Sequence, residues 1–225
     1  VDPYFTKNPH RVRHAYDFYD VDLIAVTHNA NDHYGDTTEL LINGKASLVA
    51  ANDVIYRAKQ ECRNMVDSSR LYSTIYGDSK EFDGVSIRAV LAQHISKTEF
   101  GNGIRSFAPP LGFIIQFDNG VTYYHGGDTS LYGDMKLLRE LYHPDIACLS
   151  IDRWKPRFGC VLSPREAAMA ASWLGVDVVI PGHYPPGSTA PEEFKEMMRA
   201  FSPNVQLKGK MNSPFRYIPY QILDE

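Results

Sequence analysis

The chain has 225 residues, of which 44% are apolar and 22% charged, with a formal net charge of −4. A chain of this length buries a substantial core as one large domain or two small ones, and the composition is that of an ordinary globular protein. The mild acidity gives no support for a broad nucleic-acid-binding face, and the longest apolar runs are far too short to span a bilayer.

The opening residues, Val1-Asp2-Pro3, read locally as a turn, with Asp before Pro. Residues 4–21 are polar and aromatic without periodicity, and His10 and His14 read there as loop or surface histidines. The apolar run from Leu23 to Val26 then ends abruptly in Thr27 and His28, with Asp32 and His33 close behind. A buried strand is expected for that run. Two imidazoles and a carboxylate just past a strand end can turn toward one point, which is the raw material of a metal site.

A short helix is expected over Thr37 to Leu41 and a strand over Ala46 to Ala50. A helix over Asp53 to Arg63 would carry Val54, Ile55, Ala58 and Cys62 on one face. From there to Asp83 the chain reads as loop, with a turn at Asp83-Gly84. Val85 to Leu91 alternates as a strand and leads into Gln93-His94. Residues 95–110 read as one long loop, where Lys97 and Arg105 are either anion contacts or solvated surface charge. Phe113 to Phe117 and Val121 to Tyr124 flank Asn119-Gly120 as a hairpin with a tight primed turn. The second strand runs into His125-Gly126-Gly127-Asp128, where the glycines let the backbone bend closely.

A helix follows over Met135 to Leu141 and a buried strand over Asp145 to Ile151. That strand ends in a basic loop with Arg153, Lys155 and Arg157, three charges that suit a phosphate or carboxylate on a substrate. Ser163, Pro164 and Glu166 form a helix start with a capping box, and Gly175 stops the helix. Val176 to Ile180 reads as a strand leading to Pro181-Gly182-His183-Tyr184, with Tyr184 either a hydrogen-bond donor to substrate or a packing residue. Pro191 to Phe201 reads as the last helix and Val205 to Leu207 as a short strand. The tail after it carries aromatics suited to packing against a partner subunit, which would make the protein a homo-oligomer. Three cysteines, Cys62, Cys148 and Cys160, are odd in number and lack C-x-x-C spacing. No signal peptide opens the chain, so a reducing, cytoplasmic setting is expected.

His28, Asp32 and His33 match an H-x-H-x-D-H signature in all but one position. His94 after a strand, the Gly127-Asp128-Thr129 segment and a strand ending at His183 follow in the same order. These segments together resemble the metallo-β-lactamase superfamily, from Val1 to about Leu207. The likeness is nearest to the branch of metal-dependent hydrolases that includes ascorbate-6-phosphate lactonase.

The resemblance implies an αββα sandwich, with residues 1–225 as a single hydrolase domain. Relatives reach the segment like Val1-Asp2-Pro3 only after an opening pair of strands, so either the true N-terminus is missing here or the numbering starts late. The resemblance also implies two divalent ions. His28, His94 and Asp128 would hold the first, and Asp32, His33, Asp128 and His183 the second, with Asp128 bridging. Asp2 would sit behind the site and fix the tautomer of a ligand imidazole. Imidazole and carboxylate ligands suit zinc, and also manganese or iron. A hydroxide between such ions would attack an ester, lactone or phosphodiester of a small anionic substrate. Asp32 and His183 are assigned catalytic roles as well as ligation.

Ala30 is the departure. It stands where the signature has its second His and offers no donor atom. Asn29 and Asn31 should diverge from that position. Either the residue is an engineered change that silences catalysis, or it is a natural loss filled by water or a neighbouring side chain. Both accounts predict weakened binding of the first ion and reduced activity. Two other functions are weighed: a non-catalytic metal- or ligand-binding module on the same fold, and a nuclease of the superfamily, which the acidic balance disfavours. A cysteine hydrolase is weaker still, because no Cys sits in a motif or beside a candidate base.

Overall fold

A computed structural model describes residues 1–99, 103, 105–152 and 161–208. The basic loop with Arg153, Lys155 and Arg157 and the aromatic C-terminal tail lie outside the described residues. The chain divides into two compact units. The first comprises Val1–Asp78, Ala89–Leu91 and Ile95–Leu111, and the second Ser79–Arg88, Ala92–His94 and the chain from Gly112 onward.

The first unit is built on a parallel three-stranded sheet, β1 (Leu23–Val26), β2 (Ser47–Ala50) and β3 (Leu71–Ser73), in which Val26 pairs with Ala50 and Ala50 with Ser73. Parallel strands are covered on both faces and so read as continuous apolar runs. That is the pattern of β1 and β2, each buried at its last three residues. Helices α1 (Asn31–Tyr34), α2 (Thr37–Asn43) and α3 (Asn52–Cys62) follow the strands. Ile24, Val26, Leu48 and Ala50 pack with Leu40, Leu41, Val54, Ala58 and Cys62 in one core. Helix α3 therefore buries the face that its periodicity predicted. The four-residue α1 was not anticipated.

The second unit holds most of a seven-stranded sheet. Its strands are β4 (Ser79–Phe82), β5 (Val85–Leu91), β8 (Leu111–Phe117), β9 (Thr122–His125), β10 (Ile146–Ser150), β11 (Val178–Gly182) and β12 (Gln206–Leu207). Their order is β12-β11-β10-β9-β8-β5-β4. Strands β9 to β12 run parallel, while β8/β9 and β4/β5 are antiparallel. Helices α4 (Met135–Tyr142), α5 (Pro164–Leu174) and α6 (Ala190–Phe201) complete the unit, and α5 packs against α4, α6 and β10. Four buried alanines on α5 let these elements approach closely. The capping box is present, with the Ser163 amide donating to Glu166 Oε2 at 2.8 Å and Gly175 closing the helix at φ 66°. No helix among the described residues is long and apolar enough to cross a membrane.

Several expectations are corrected. The stretch before Asp83 contains β3 and β4. The long loop at 95–110 contains a hairpin, β6 (Ser96–Glu99) and β7 (Arg105–Ala108), which packs on α3. Ser-Lys-Glu-Phe in β4 and Ser-Lys-Thr-Glu in β6 lack the β-branched and aromatic enrichment that marks strands locally, so pairing decides them. The β8–β9 turn is not a primed pair. Phe117 N–H donates to Val121 O at 2.9 Å across a three-residue loop, and only Gly120 has positive φ, 82°. That is a turn ending in a left-handed glycine. The strand expected at 176–180 lies at Val178–Gly182 and includes Pro181. Strand β12 pairs only with Val178 and Val179, so the missing Pro181 N–H faces no β12 partner.

Candidate metal centre

In the first unit the site residues follow β1 directly. His28 and His33 are buried, their ring centroids 4.1 Å apart. Asp2 lies behind them, although Val1-Asp2-Pro3 forms no strand. The Asp2 amide donates to Ala25 O at 2.9 Å. Asp2 Oδ2 is 2.9 Å from His33 Nδ1, and the Thr27 hydroxyl donates to the same oxygen at 2.8 Å. Asp2 Oδ1 accepts the Thr27 amide at 2.8 Å. Thr27 Oγ1 is also 3.1 Å from His28 Nδ1.

These contacts have one consistent polarity. A carboxylate only accepts, so His33 donates its Nδ1 proton to Asp2 and Thr27 donates its hydroxyl proton there too. Thr27 Oγ1 is then left as an acceptor for His28 Nδ1–H. Both imidazoles are thereby assigned the tautomer that keeps the Nε2 lone pair for a ligand. An aspartate behind metal-ligating histidines does this work in metal sites generally. Asp32 is half-buried, its Oδ2 4.0 Å from His33 Nε2.

Ala30 is the residue before α1, at φ −69° and ψ 150°, half-exposed, and its carbonyl accepts the His33 and Tyr34 amides. The neighbouring asparagines do diverge from it. Asn31 is exposed, whereas Asn29 is buried and its side-chain amide donates to Asp53 O at 3.1 Å. Asp53 is fully buried. Burial pushes its carboxyl up, and hydrogen bonds from Ser96 and the Val54 amide oppose that.

In the second unit the candidates follow the carboxyl ends of neighbouring strands. Strand β9 ends at His125, β10 at Ser150 and β11 at Gly182. Asp128 is buried and His94 and His183 are half-buried. Asp128 Oδ2 lies 3.7 Å from His94 Nε2 and 3.5 Å from His183 Nε2. Both distances are too long for a hydrogen bond. They are near the separation of about 3.3 Å between two ligands of one tetrahedral ion whose bonds are each about 2.0 Å. The donor set therefore fits a divalent ion, and imidazole with carboxylate suits zinc, manganese or iron. Ser150 Oγ donates to Gly127 O at 2.8 Å and lies 3.2 Å from Asp128 Oδ1. Gln93 N–H donates to Thr129 Oγ1 at 2.9 Å and Ser130 N–H to Gln93 O at 3.1 Å. These bonds tie the His94 segment to the Asp128 segment.

Among the expected substrate contacts, Lys97 and Arg105 are exposed on β6 and β7. Ser96 next to Lys97 is buried, because successive strand residues face opposite ways. Tyr184 is half-buried, and burial together with nearby Glu192 pushes its phenol up, so it stays a donor at neutral pH. Sequence reasoning missed Thr27, Ser150, Gln93 and Thr129. Thr27, Gln93 and Thr129 each adjoin a candidate ligand in sequence, the one signal that pointed to them.

The chain matches the family described as the beta-lactamase superfamily domain over residues 1–184. It belongs to the metallo-β-lactamase superfamily. Within this superfamily it is 34% identical over 215 residues to a UPF0173 metal-dependent hydrolase of Rubrobacter xylanophilus, covering 92% of this chain and 83% of that protein. It is 38% identical over 202 residues to one from Pyrococcus horikoshii, covering 88% and 83%. The structure of Igni18, a metallo hydrolase from Ignicoccus hospitalis, shares the metallo-β-lactamase fold with a TM-score of 0.76 at 24% identity, covering 97% and 90% of the two chains.

Proposed function

We propose that residues 1–225 act as one metal-dependent hydrolase domain on a small anionic substrate. His28, His94 and Asp128 would hold one divalent ion, and Asp32, His33, Asp128 and His183 a second. The observation that carries this reading is the Asp2–Thr27 arrangement, which leaves Nε2 as the ligating atom on both buried imidazoles of the first unit. A histidine needed only for packing has no use for such a tautomer lock. Bound ions would supply a Lewis acid and an activated water near neutral pH. The chain's own part is to fix the ligand geometry, and Tyr184 is the candidate donor to a substrate oxygen. The relatives named metal-dependent hydrolases support the reaction class. Esters, lactones and phosphodiesters all fit that class.

Ala30 removes one ligand from the first set and leaves the second complete. The first ion is therefore the weakly held one, and turnover in this chain is reduced. The test is metal content by elemental analysis on the chain and on Ala30→His, with a phosphodiester and a lactone assayed alongside. The variant is expected to gain about one metal equivalent and to turn over one of the two substrates. Equal metal content with no turnover in either protein would replace this reading with a non-catalytic binding module.

A further inference from the structure

The first unit fully buries one carboxylate that the proposed ligand sets do not use. Asp53 sits in the first turn of α3 and is fully buried. A buried carboxylate is unfavourable unless it is hydrogen-bonded, and an apolar residue would serve the α3 core as well. Its bonds run toward the motif loop. Oδ1 accepts the Val54 amide at 2.8 Å, and Oδ2 accepts the Ser96 hydroxyl. Because Ser96 spends its single proton on Asp53, its lone pairs receive the Asn29 amide, at 3.1 Å. The Asn29 side chain is held at both ends. Its Nδ2 donates to Asp53 O at 3.1 Å, and its Oδ1 accepts Arg57 Nη1 at 3.2 Å. Arg57 is itself fixed, with its guanidinium 3.9 Å over the Tyr34 ring and Nε donating to Glu61 at 2.7 Å.

Asn29 is the residue between His28 and position 30. The course of its backbone therefore bears on where both positions point. We propose that Asp53 is a positioning residue which, through Ser96, sets the Asn29 backbone and with it the aim of His28 and of any ligand at position 30. The proposal rests on the metal-site reading above. It differs from the role of Asp2, which orients the imidazoles through their Nδ1 atoms and leaves the backbone between them to this second set of bonds. A carboxylate suits this place because two donors, Ser96 Oγ–H and Val54 N–H, arrive at its two oxygens, whereas an amide accepts only one of them and reverses the polarity at the other.

The test uses cobalt(II), whose visible absorption reports ligand geometry, titrated into metal-free protein in the chain as it stands and in Ala30→His. Ser96→Ala, Ser96→Thr and Asp53→Asn are compared in both backgrounds, and exchange of the Asn29 amide is followed by NMR without metal. Ser96→Ala is expected to weaken cobalt binding in Ala30→His by about tenfold, the lower end for residues behind metal ligands. It should also speed Asn29 exchange by a similar factor. Ser96→Thr, which keeps the oxygen, should restore both, and Asp53→Asn should resemble Ser96→Ala. Unchanged cobalt affinity with unchanged exchange would overturn the proposal. So would exchange that rises evenly through the whole first unit, since that marks a merely structural role. If neither parent takes up cobalt, the metal-site reading falls, and Asn29 exchange in Ser96→Ala still judges the anchor by itself. Should Ser96→Ala not fold, Asp53→Asn against Ser96→Thr decides between the same two outcomes.

Discussion

Each of the two units carries three candidate ligands, and they hold them by different means. In the first, side chains accept from the backbone on or near the ligand-bearing segment: Asp2 on Thr27, Asp36 on Phe5 and Thr6, Ser96 on Asn29. In the second, Asp128 and His183 hang from strand ends through Gly126-Gly127 and Gly182, and the supporting side chains are the hydroxyls of Ser150 and Thr129, with no carboxylate among them. Helix α1 and the loop before it belong to no sheet, so side-chain bonds and isolated backbone bonds, such as Leu111 N–H to Thr27 O and Asp36 N–H to Pro3 O, specify their course. Asp128 and His183 inherit their course from the register of β9, β10 and β11. The first half should therefore be the more sensitive to single substitutions.

The largest effect is expected at Gly35. It lies at φ 46° and ψ −120°, a conformation open essentially to glycine alone, and an added Cβ would stand 2.0 Å from Pro3 O. That oxygen already accepts the Asp36 amide at 2.7 Å, so it cannot move away without breaking the bond. Gly35→Ala should cost about 3 kcal/mol or more, combining strain and overlap. Denaturant unfolding followed by circular dichroism measures this, and a midpoint equal to the parent's would refute so tight a course for residues 1–36. Next comes Asp2→Asn. It preserves shape but turns one acceptor into a donor, facing either the Thr27 amide or the His33 Nδ1–H and Thr27 hydroxyl with the wrong polarity. Zinc affinity should fall by about ten- to a hundredfold, with a smaller change in unfolding midpoint than at Gly35. Undiminished affinity would mean that the tautomer assignment has no bearing on binding.

The legibility of the chain divides along similar lines. Strands β1, β2, β5 and β10 were readable because burial on both faces or strict alternation wrote their pattern into the residues themselves. Helices α3, α4 and α5 were readable from apolar periodicity, and α5 also from its Ser163–Glu166 cap. The edge strands β3 and β4 and the β6–β7 hairpin were not, since their short polar sequences form strands only when a partner is present. The candidate ligands could be located through the family resemblance. Their supports could not, apart from Asp2. Ser150 lies 22 residues from Asp128 in sequence, and Ser96 lies 67 from Asn29. No local pattern encodes the pairing of a serine with a partner at that distance. Ala30 was legible as a gap, and the structure adds that Asn29 does not fill it.

The smallest effect is expected at Gly126, the counterpart of Gly35 in the second half. Gly126 is not among the residues with positive φ, and an added Cβ would meet Cys148 O at 3.4 Å and Leu149 Cδ2 and Tyr124 Oη at 3.5 Å. Those are ordinary to slightly close van der Waals contacts. Replacing a glycine whose backbone suits any residue removes freedom from the unfolded chain, a gain of about 0.4–1 kcal/mol. A few tenths of an ångström of adjustment at Cys148 opposes that gain. The net change for Gly126→Ala should lie within about 0.5 kcal/mol, the range of substitutions that create neither strain nor a cavity. Metal content should stay the same, because the Gly126 amide donates to Cys148 O at 3.0 Å and alanine keeps that donor. Unfolding midpoint and elemental analysis read the two quantities. A loss approaching that of Gly35→Ala would show that the second half is as tightly drawn as the first, and that register alone does not place Asp128.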